Sequence, residues 1–221
     1  MLTAHRPPTS FGTSLSVVVA ALSALTELTG VAAAVELGDG GRAAEHAAGQ
    51  RAARRSLVSA GEATGLVGRS PAGRPCWPPG FLGSIAHANG IAVAAATATP
   101  PLFALGIDIE LEAALPASDA SWVMSSDETL LLRCGPGQAD RLATRLWSAK
   151  EAAFKAWCTA VEEDLDGVDP RDIVVRPSPN EVPSFEVEAI GELARGPVGR
   201  ASRLDGRWWA AGSLFVTLVW R

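Results

Sequence analysis

Trp147-Ser-Ala-Lys-Glu-Ala-Ala-Phe-Lys-Ala-Trp157 holds the only two lysines of a 221-residue chain that otherwise writes its positive charge as arginine. An ammonium is a compact, hydrated point charge whose pKa responds to its surroundings, whereas a guanidinium stays charged. Two lysines flanking a glutamate therefore suggest a site that uses ammonium groups. The plainer reading is an amphipathic helix with one Glu151–Lys155 pair a turn apart. The composition predicts a helix with Trp147, Glu151 and Lys155 on one face, and Phe154, Trp157 and Cys158 turned toward a core.

The segment it would have to meet is Gly106-Ile-Asp-Ile-Glu110. In an extended strand, side chains alternate between faces. Ile107 and Ile109 then enter the core while Asp108 and Glu110 project together from the other side. Two such carboxylates repel unless solvent or a cation separates them, and paired carboxylates with substrate phosphates are the usual way to hold Mg²⁺. A solvated strand face explains the pair equally well. If the helix lies beside this strand, Glu151 supplies a third carboxylate and Lys155 reaches a bound phosphate or a leaving group. Gly106 fits either a close approach or a plain turn.

The bulk properties narrow the classes. A hydrophobic content of 48% with 19% charged residues is that of a globular protein. The net charge of −5 and pI near 5.3 argue against nonspecific nucleic-acid binding. Cys76, Cys134 and Cys158 are odd in number and lack metal-ligand spacing, so they read as free thiols of a reducing, cytoplasmic compartment. The apolar run at 15–25 is too short to span a bilayer and is closed by Glu27, which favours a buried helix. GxSxG, Walker A and HExxH patterns are absent.

Along the chain we expect a loose arm over the first dozen residues, a helix over 13–28, a strand over 31–37 and a turn over 38–41. A helix over 42–60 bearing Arg51, Arg54 and Arg55 follows, then a Gly/Pro-rich loop over 65–80 with Arg69 and Arg74. Asn89-Gly90 between two apolar runs is a hairpin signal. A boundary between halves falls near 100–106, giving an N-terminal half over 1–105 and a C-terminal half over 106–221. The second half is expected to contain helices over 119–134 and 138–160, strands over 171–176 and 184–190, and one long strand over 207–220 after an Asp205-Gly206 turn. His87, before the hairpin turn, reads as a structural residue or, beside several arginines, as a phosphate donor. The arginines of 42–74 are solvated charges or the lining of a polyanion pocket.

The strand and helix motifs together closely resemble the two signatures of the Sfp-type 4'-phosphopantetheinyl transferases. Pro75-Cys-Trp-Pro78 followed by Gly83-Ser-Ile-Ala-His87 is similar to a third element, in the form of the enterobactin-synthetase component D branch. The resemblance runs over roughly 42–160. It implies an α+β fold of two similar halves related by a pseudo-twofold, with coenzyme A in the cleft between them. It implies Mg²⁺, or Mn²⁺, on Asp108, Glu110 and Glu151. Coenzyme contacts would fall to Arg42, Arg51, Arg54, Arg69, Arg74 and His87, with Lys150 and Lys155 near the pyrophosphate.

The implied activity is transfer of 4'-phosphopantetheine from coenzyme A to a serine of an apo acyl or peptidyl carrier protein, releasing 3',5'-ADP. Glu151 would act as base and Lys155 at the leaving phosphate. A monomer is expected, because one chain would supply the whole cleft. A coenzyme A-binding sensor and a metal-dependent phosphohydrolase are the competing readings. Ala86 and Ala88 depart from the family pattern, which has small hydroxyl or thiol residues beside the histidine, and His46 stands where an aromatic residue is common.

Overall fold

The computed structural model describes residues 11–38, 41–71, 73–112, 114–161, 165, 167–178, 183–196 and 198–221. The N-terminal arm and the centre of the 38–41 turn lie outside these residues. Helix α1 (Phe11–Thr29) turns Val18, Leu22 and Leu25 inward, three to four residues apart as one face of a helix requires. Strand β1 (Ala32–Leu37) leads to α2 (Arg42–Ser59), whose buried face is Ala48, Gly49, Ala52 and Ala53. Two-residue strands β2 (Gly68–Arg69) and β3 (Pro75–Cys76) pair across the expected loop. Strands β4 (Phe81–Ala88) and β5 (Ile91–Ala98) form the predicted hairpin. Asn89 and Gly90 have φ of 50° and 73°, the left-handed pair that a tight two-residue turn uses.

Strand β6 (Leu105–Leu111) precedes a short helix α3 (Ser126–Leu131) and the long α4 (Pro136–Val161). Strands β7 (Ile173–Pro177) and β8 (Ser184–Ala189), helix α5 (Gly191–Arg195), and strands β9 (Arg203–Ala211) and β10 (Leu214–Trp220) complete the chain. The fold is α+β. One antiparallel sheet has the order β1-β5-β4 and a second has β6-β10-β9-β8-β7.

Helix α2 covers one face of the first sheet, where Ala94 of β5 meets Ala52 and Ala53. The opposite face (Ile91, Val93, Ala95) packs with α1 and with Leu105, Ile107, Ile109, Trp209, Val216 and Leu218 of the second sheet. The other side of the second sheet is covered by α4, through Leu146, Ala149, Ala152, Ala153, Ala156 and Trp157.

Two expectations are corrected. The helix foreseen over 119–134 is a single 3-10 turn at Ala120–Trp122 followed by α3, because Ser125 stops and restarts the chain. Its side chain accepts from the Glu128 amide while Glu128 accepts from the Ser125 amide, a reciprocal cap that fixes a helix start. The long strand foreseen over 207–220 is a β9–β10 hairpin turning at Gly212, and Asp205-Gly206 is no turn but lies within β9. Gly206 is there because the Phe185 ring packs on it: a Cβ would come within 2.2 Å of that ring.

Gly106 plays the same part for α4. A Cβ at Gly106 would meet the Ala152 carbonyl oxygen at 1.8 Å. Neither backbone can yield without separating helix from sheet. Gly106→Ala is expected to cost about 3 kcal/mol or more, at the upper end of overpacking penalties, as measured by denaturant unfolding. A variant as stable as the parent would show that α4 does not press on β6.

Candidate functional site

With α4 seated on β6, the acids of the strand and the helix share one interface. Ile107 and Ile109 enter the core as the alternation requires. Asp108 is 5% exposed on the α4 side. Its Oδ1 accepts from Lys155 Nζ at 2.6 Å and its Oδ2 accepts from Ser148 Oγ at 2.7 Å. Thr217 Oγ1 lies 2.8 Å from Ser148 Oγ, and Thr217 is the register partner of Asp108 on β10.

Glu110 and Glu151 lie near enough to feel the same charges. Burial pushes the Glu110 carboxyl up to about 7; Asp108 and Glu151 add to the rise, and the Lys155 ammonium opposes it. Burial also raises Glu151, with Asp108 adding and Lys155 opposing. Burial favours the neutral form of Lys155, but Asp108, Glu151 and Glu110 outweigh it and hold its pKa above the usual lysine value. One ammonium thus feels three carboxylates, of which Asp108 is in direct contact with it. Among the described residues, no three acidic, histidine or cysteine side chains are drawn together as a ready-made metal group.

Lys155 also lines a cleft of about 300 Å³. One wall comes from Arg74, Trp77, Gly83 and Ser84, the other from Phe154, Cys158 and Thr159 of α4. Trp77 packs on Gly83, where a Cβ would come within 2.4 Å of its ring. Arg74 Nη1 reaches the Cys158 carbonyl at 3.5 Å, and Thr159 Oγ1 the Gly83 carbonyl at 3.4 Å. A neighbouring pocket of about 150 Å³ is lined by His46, Arg69 and His87, with Pro75 and Ile85 common to both. Arg69 Nη1 stands 3.5 Å from His46 Nε2.

The candidate residues therefore separate. Asp108 and Lys155 are in contact, Glu110 and Glu151 lie within range of their charges, and Arg69, Arg74 and His87 line the adjoining pockets. Arg42 and Arg54 are exposed on α2 outside both linings. Arg51 is turned away to Glu36, 3.3 Å from its carboxylate and 2.8 Å from the Leu37 carbonyl.

Lys150 is a correction. It is 1% exposed and ion-paired at 2.7 Å with Glu128, itself 1% exposed. Its other hydrogens go to the carbonyls of Pro170 and Ile173, so it ties α4 to α3 and β7 rather than facing the cleft. Burial lowers its pKa, against the pull of Glu128. Sequence reasoning also missed Ser148, Thr217 and Glu128. Ser148 was within reach, since it lies one turn before Glu151 on the acid-bearing side. Thr217 needed the strand pairing.

Two family descriptions match the chain: the 4'-phosphopantetheinyl transferase superfamily over residues 104–201, and the 4'-phosphopantetheinyl transferase N-terminal domain over residues 22–97. The chain is 34% identical to 4'-phosphopantetheinyl transferase Svp of Streptomyces mobaraensis over 177 residues, covering 73% of this chain and 68% of that protein. It is 30% identical to 4'-phosphopantetheinyl transferase Npt of Nocardia iowensis over 182 residues, 76% and 77% of the two chains. Enterobactin synthase component D of Salmonella austin is 28% identical over 179 residues, 80% of this chain and 71% of that one.

The fold resists ionising Glu110. That penalty is absent below the ordinary carboxylate value of 4.5, grows as pH rises, and is complete above about 7. Glu110→Gln removes it, so in metal-free buffer the variant should melt higher than the parent at pH 8, and the gap should close by pH 4.5. A gap that does not change with pH would contradict the burial of this carboxyl. For Lys150→Ala we expect a loss of about 3 kcal/mol in urea unfolding, because Glu128 is left buried and uncompensated.

Proposed function

The chain belongs to the 4'-phosphopantetheinyl transferases, in their Sfp-type, enterobactin-synthase component D-like branch, and from that premise we propose that it moves the 4'-phosphopantetheine group of coenzyme A onto a serine of an apo acyl or peptidyl carrier protein, releasing 3',5'-ADP. The observation that carries this reading is the Asp108–Lys155 ion pair, with Glu110 and Glu151 within range of its charges and Lys155 lining the Arg74–Thr159 cleft.

Each side chain has a task that its surroundings suit. Glu151 sits at raised pKa, which makes its carboxylate a better base than an exposed glutamate, and it takes the proton of the attacking serine. Lys155 stays protonated and, at 28% exposure on a four-carbon stem, swings from Asp108 to the phosphate that departs. Arg74 faces the pyrophosphate, and the pocket of His46, Arg69 and His87 takes the remaining phosphate and the adenine edge. Ala86, beside His87, offers no hydroxyl to the coenzyme. The arginines Arg42, Arg51 and Arg54 are left with outer, electrostatic roles.

Asp108, Glu110 and Glu151 would hold Mg²⁺ or Mn²⁺. The chemistry of the donors fits: all are hard oxygen ligands, and the like charge they feel from one another is what a divalent ion would relieve. When bound, such an ion neutralises charge developing on the pyrophosphate oxygens.

The division into halves over 1–105 and 106–221 belongs to the same reading. So does a pseudo-twofold between them, supported by the pairing in each of one long helix with one antiparallel sheet. A monomer in a reducing cytoplasm completes it; cysteines kept as thiols rather than disulfides support the compartment, and no helix among the described residues is long and apolar enough to cross a membrane.

Incubation with coenzyme A, Mg²⁺ and an apo carrier protein, followed by mass spectrometry of the carrier, tests the proposal. One phosphopantetheine added per carrier is expected, and a panel of siderophore, polyketide and fatty-acid carriers identifies the partner. An unmodified carrier beside bound or hydrolysed coenzyme A would reject transfer in favour of sensing or hydrolysis. Glu151→Gln should lower the transfer rate at least about 100-fold, in the range of general base catalysis, with coenzyme A affinity little changed.

A further inference from the structure

Ser148 and Thr217 have no part in the chemistry above, yet both are fully buried with their hydroxyls inside the acid cluster. Alanine and valine would fit those volumes in an interface built otherwise of Ala149, Ala152, Phe215 and Val219. Two buried hydroxyls are therefore a feature to explain, since a buried polar group costs stability unless it is bonded.

Their bonding has one direction. An ionised carboxylate only accepts, and Ser148 has one hydroxyl hydrogen. That hydrogen goes to Asp108 Oδ2 at 2.7 Å, so the Thr217 hydroxyl donates to Ser148 Oγ at 2.8 Å. The chain Thr217→Ser148→Asp108 starts on β10, passes through α4 and ends on β6. It engages Oδ2 and leaves Oδ1 to a cationic partner, the Lys155 ammonium in this structure.

The geometry points to Ser148 and Thr217 as positioning residues that clamp the Asp108 carboxylate so that Oδ1 is presented to the cation shared with Glu110 and Glu151. This rests on the reading of Asp108 as part of a divalent-ion site, and the experiment separates the two. Mn²⁺ is titrated into the full chain and free Mn²⁺ is followed by electron paramagnetic resonance, with and without coenzyme A.

Ser148→Ala should bind Mn²⁺ about 10-fold or more weakly, the usual effect of removing a hydrogen-bond partner of a metal ligand, with metal-free coenzyme A affinity unchanged. Thr217→Val should weaken Mn²⁺ binding in the same direction but less, and Thr217→Ser should restore it. A folded Ser148→Ala that binds Mn²⁺ like the parent overturns the clamp. Should Ser148→Ala fail to fold, Thr217→Val decides, because it preserves volume: parental Mn²⁺ affinity there overturns the clamp equally. If the parent itself binds no Mn²⁺ under either condition, the ion reading fails and the crystal structure of Ser148→Ala or Thr217→Val judges the clamp alone. A turned Asp108 carboxylate supports it; an unmoved one overturns it.

Discussion

The contact on which the site depends is a backbone one: the Ala152 carbonyl of α4 resting where Gly106 has no side chain. With any Cβ on that strand residue, helix and sheet would stand further apart, and side chains at 148, 151 and 155 would lose their reach to β6. The small residues of α4 follow from the same demand. Ala149, Ala152, Ala153 and Ala156 are all fully buried against the sheet, and a larger residue at any of them would lift the helix. The acid cluster is thus a consequence of close packing between α4 and β6.

Such packing makes the charges expensive. Asp108 is nearly inaccessible, and burial alone already raises both Glu110 and Glu151. Lys155 is the local counter-charge, and a single ammonium among three carboxylates leaves the cluster short of positive charge. That deficit is built into the packing of α4 on β6. It also explains why the two lysines of this chain do different work. Five residues at 3.6 per turn place Lys150 and Lys155 on different faces of α4. One closes a buried pair with Glu128 beneath the helix; the other faces the acids and the cleft.

That helical arithmetic was available from the sequence, yet the reading of Lys150 as a phosphate contact followed motif resemblance instead. The α+β class, the hairpin at Asn89-Gly90, the long α4 and its approach to the Asp108 strand through Lys155 were legible, because each rests on local periodicity or on a specific motif. The break at Ser125 was not read, although Ser125 and Glu128 have the spacing of a reciprocal cap. Gly206 misled because a glycine after aspartate signals a turn in isolation, whereas in the sheet it admits the Phe185 ring. Glu128 and Thr217 act through partners distant in sequence, Lys150 with Val175 and Ser148, and no local pattern announces such contacts.

The apolar core between the two sheets explains how the site beside it keeps its shape. Leu82, Ala86, Ile91, Val93 and Ala95 of the first sheet and Leu105, Ile107, Ile109, Val216 and Leu218 of the second belong to one continuous apolar cluster. The walls, by contrast, are bridged by long polar contacts, Arg74 to Cys158 at 3.5 Å and Thr159 to Gly83 at 3.4 Å, near the limit of a hydrogen bond. Close-packed interiors shift little, while long side chains at a rim change rotamer readily. The cleft therefore combines fixed backbones and an Asp108 held at Oδ2 with longer side chains, Lys155 and Arg74, that have room to change rotamer. The Asp108 carboxylate is thus positioned in advance, at the expense of the fold that buries it.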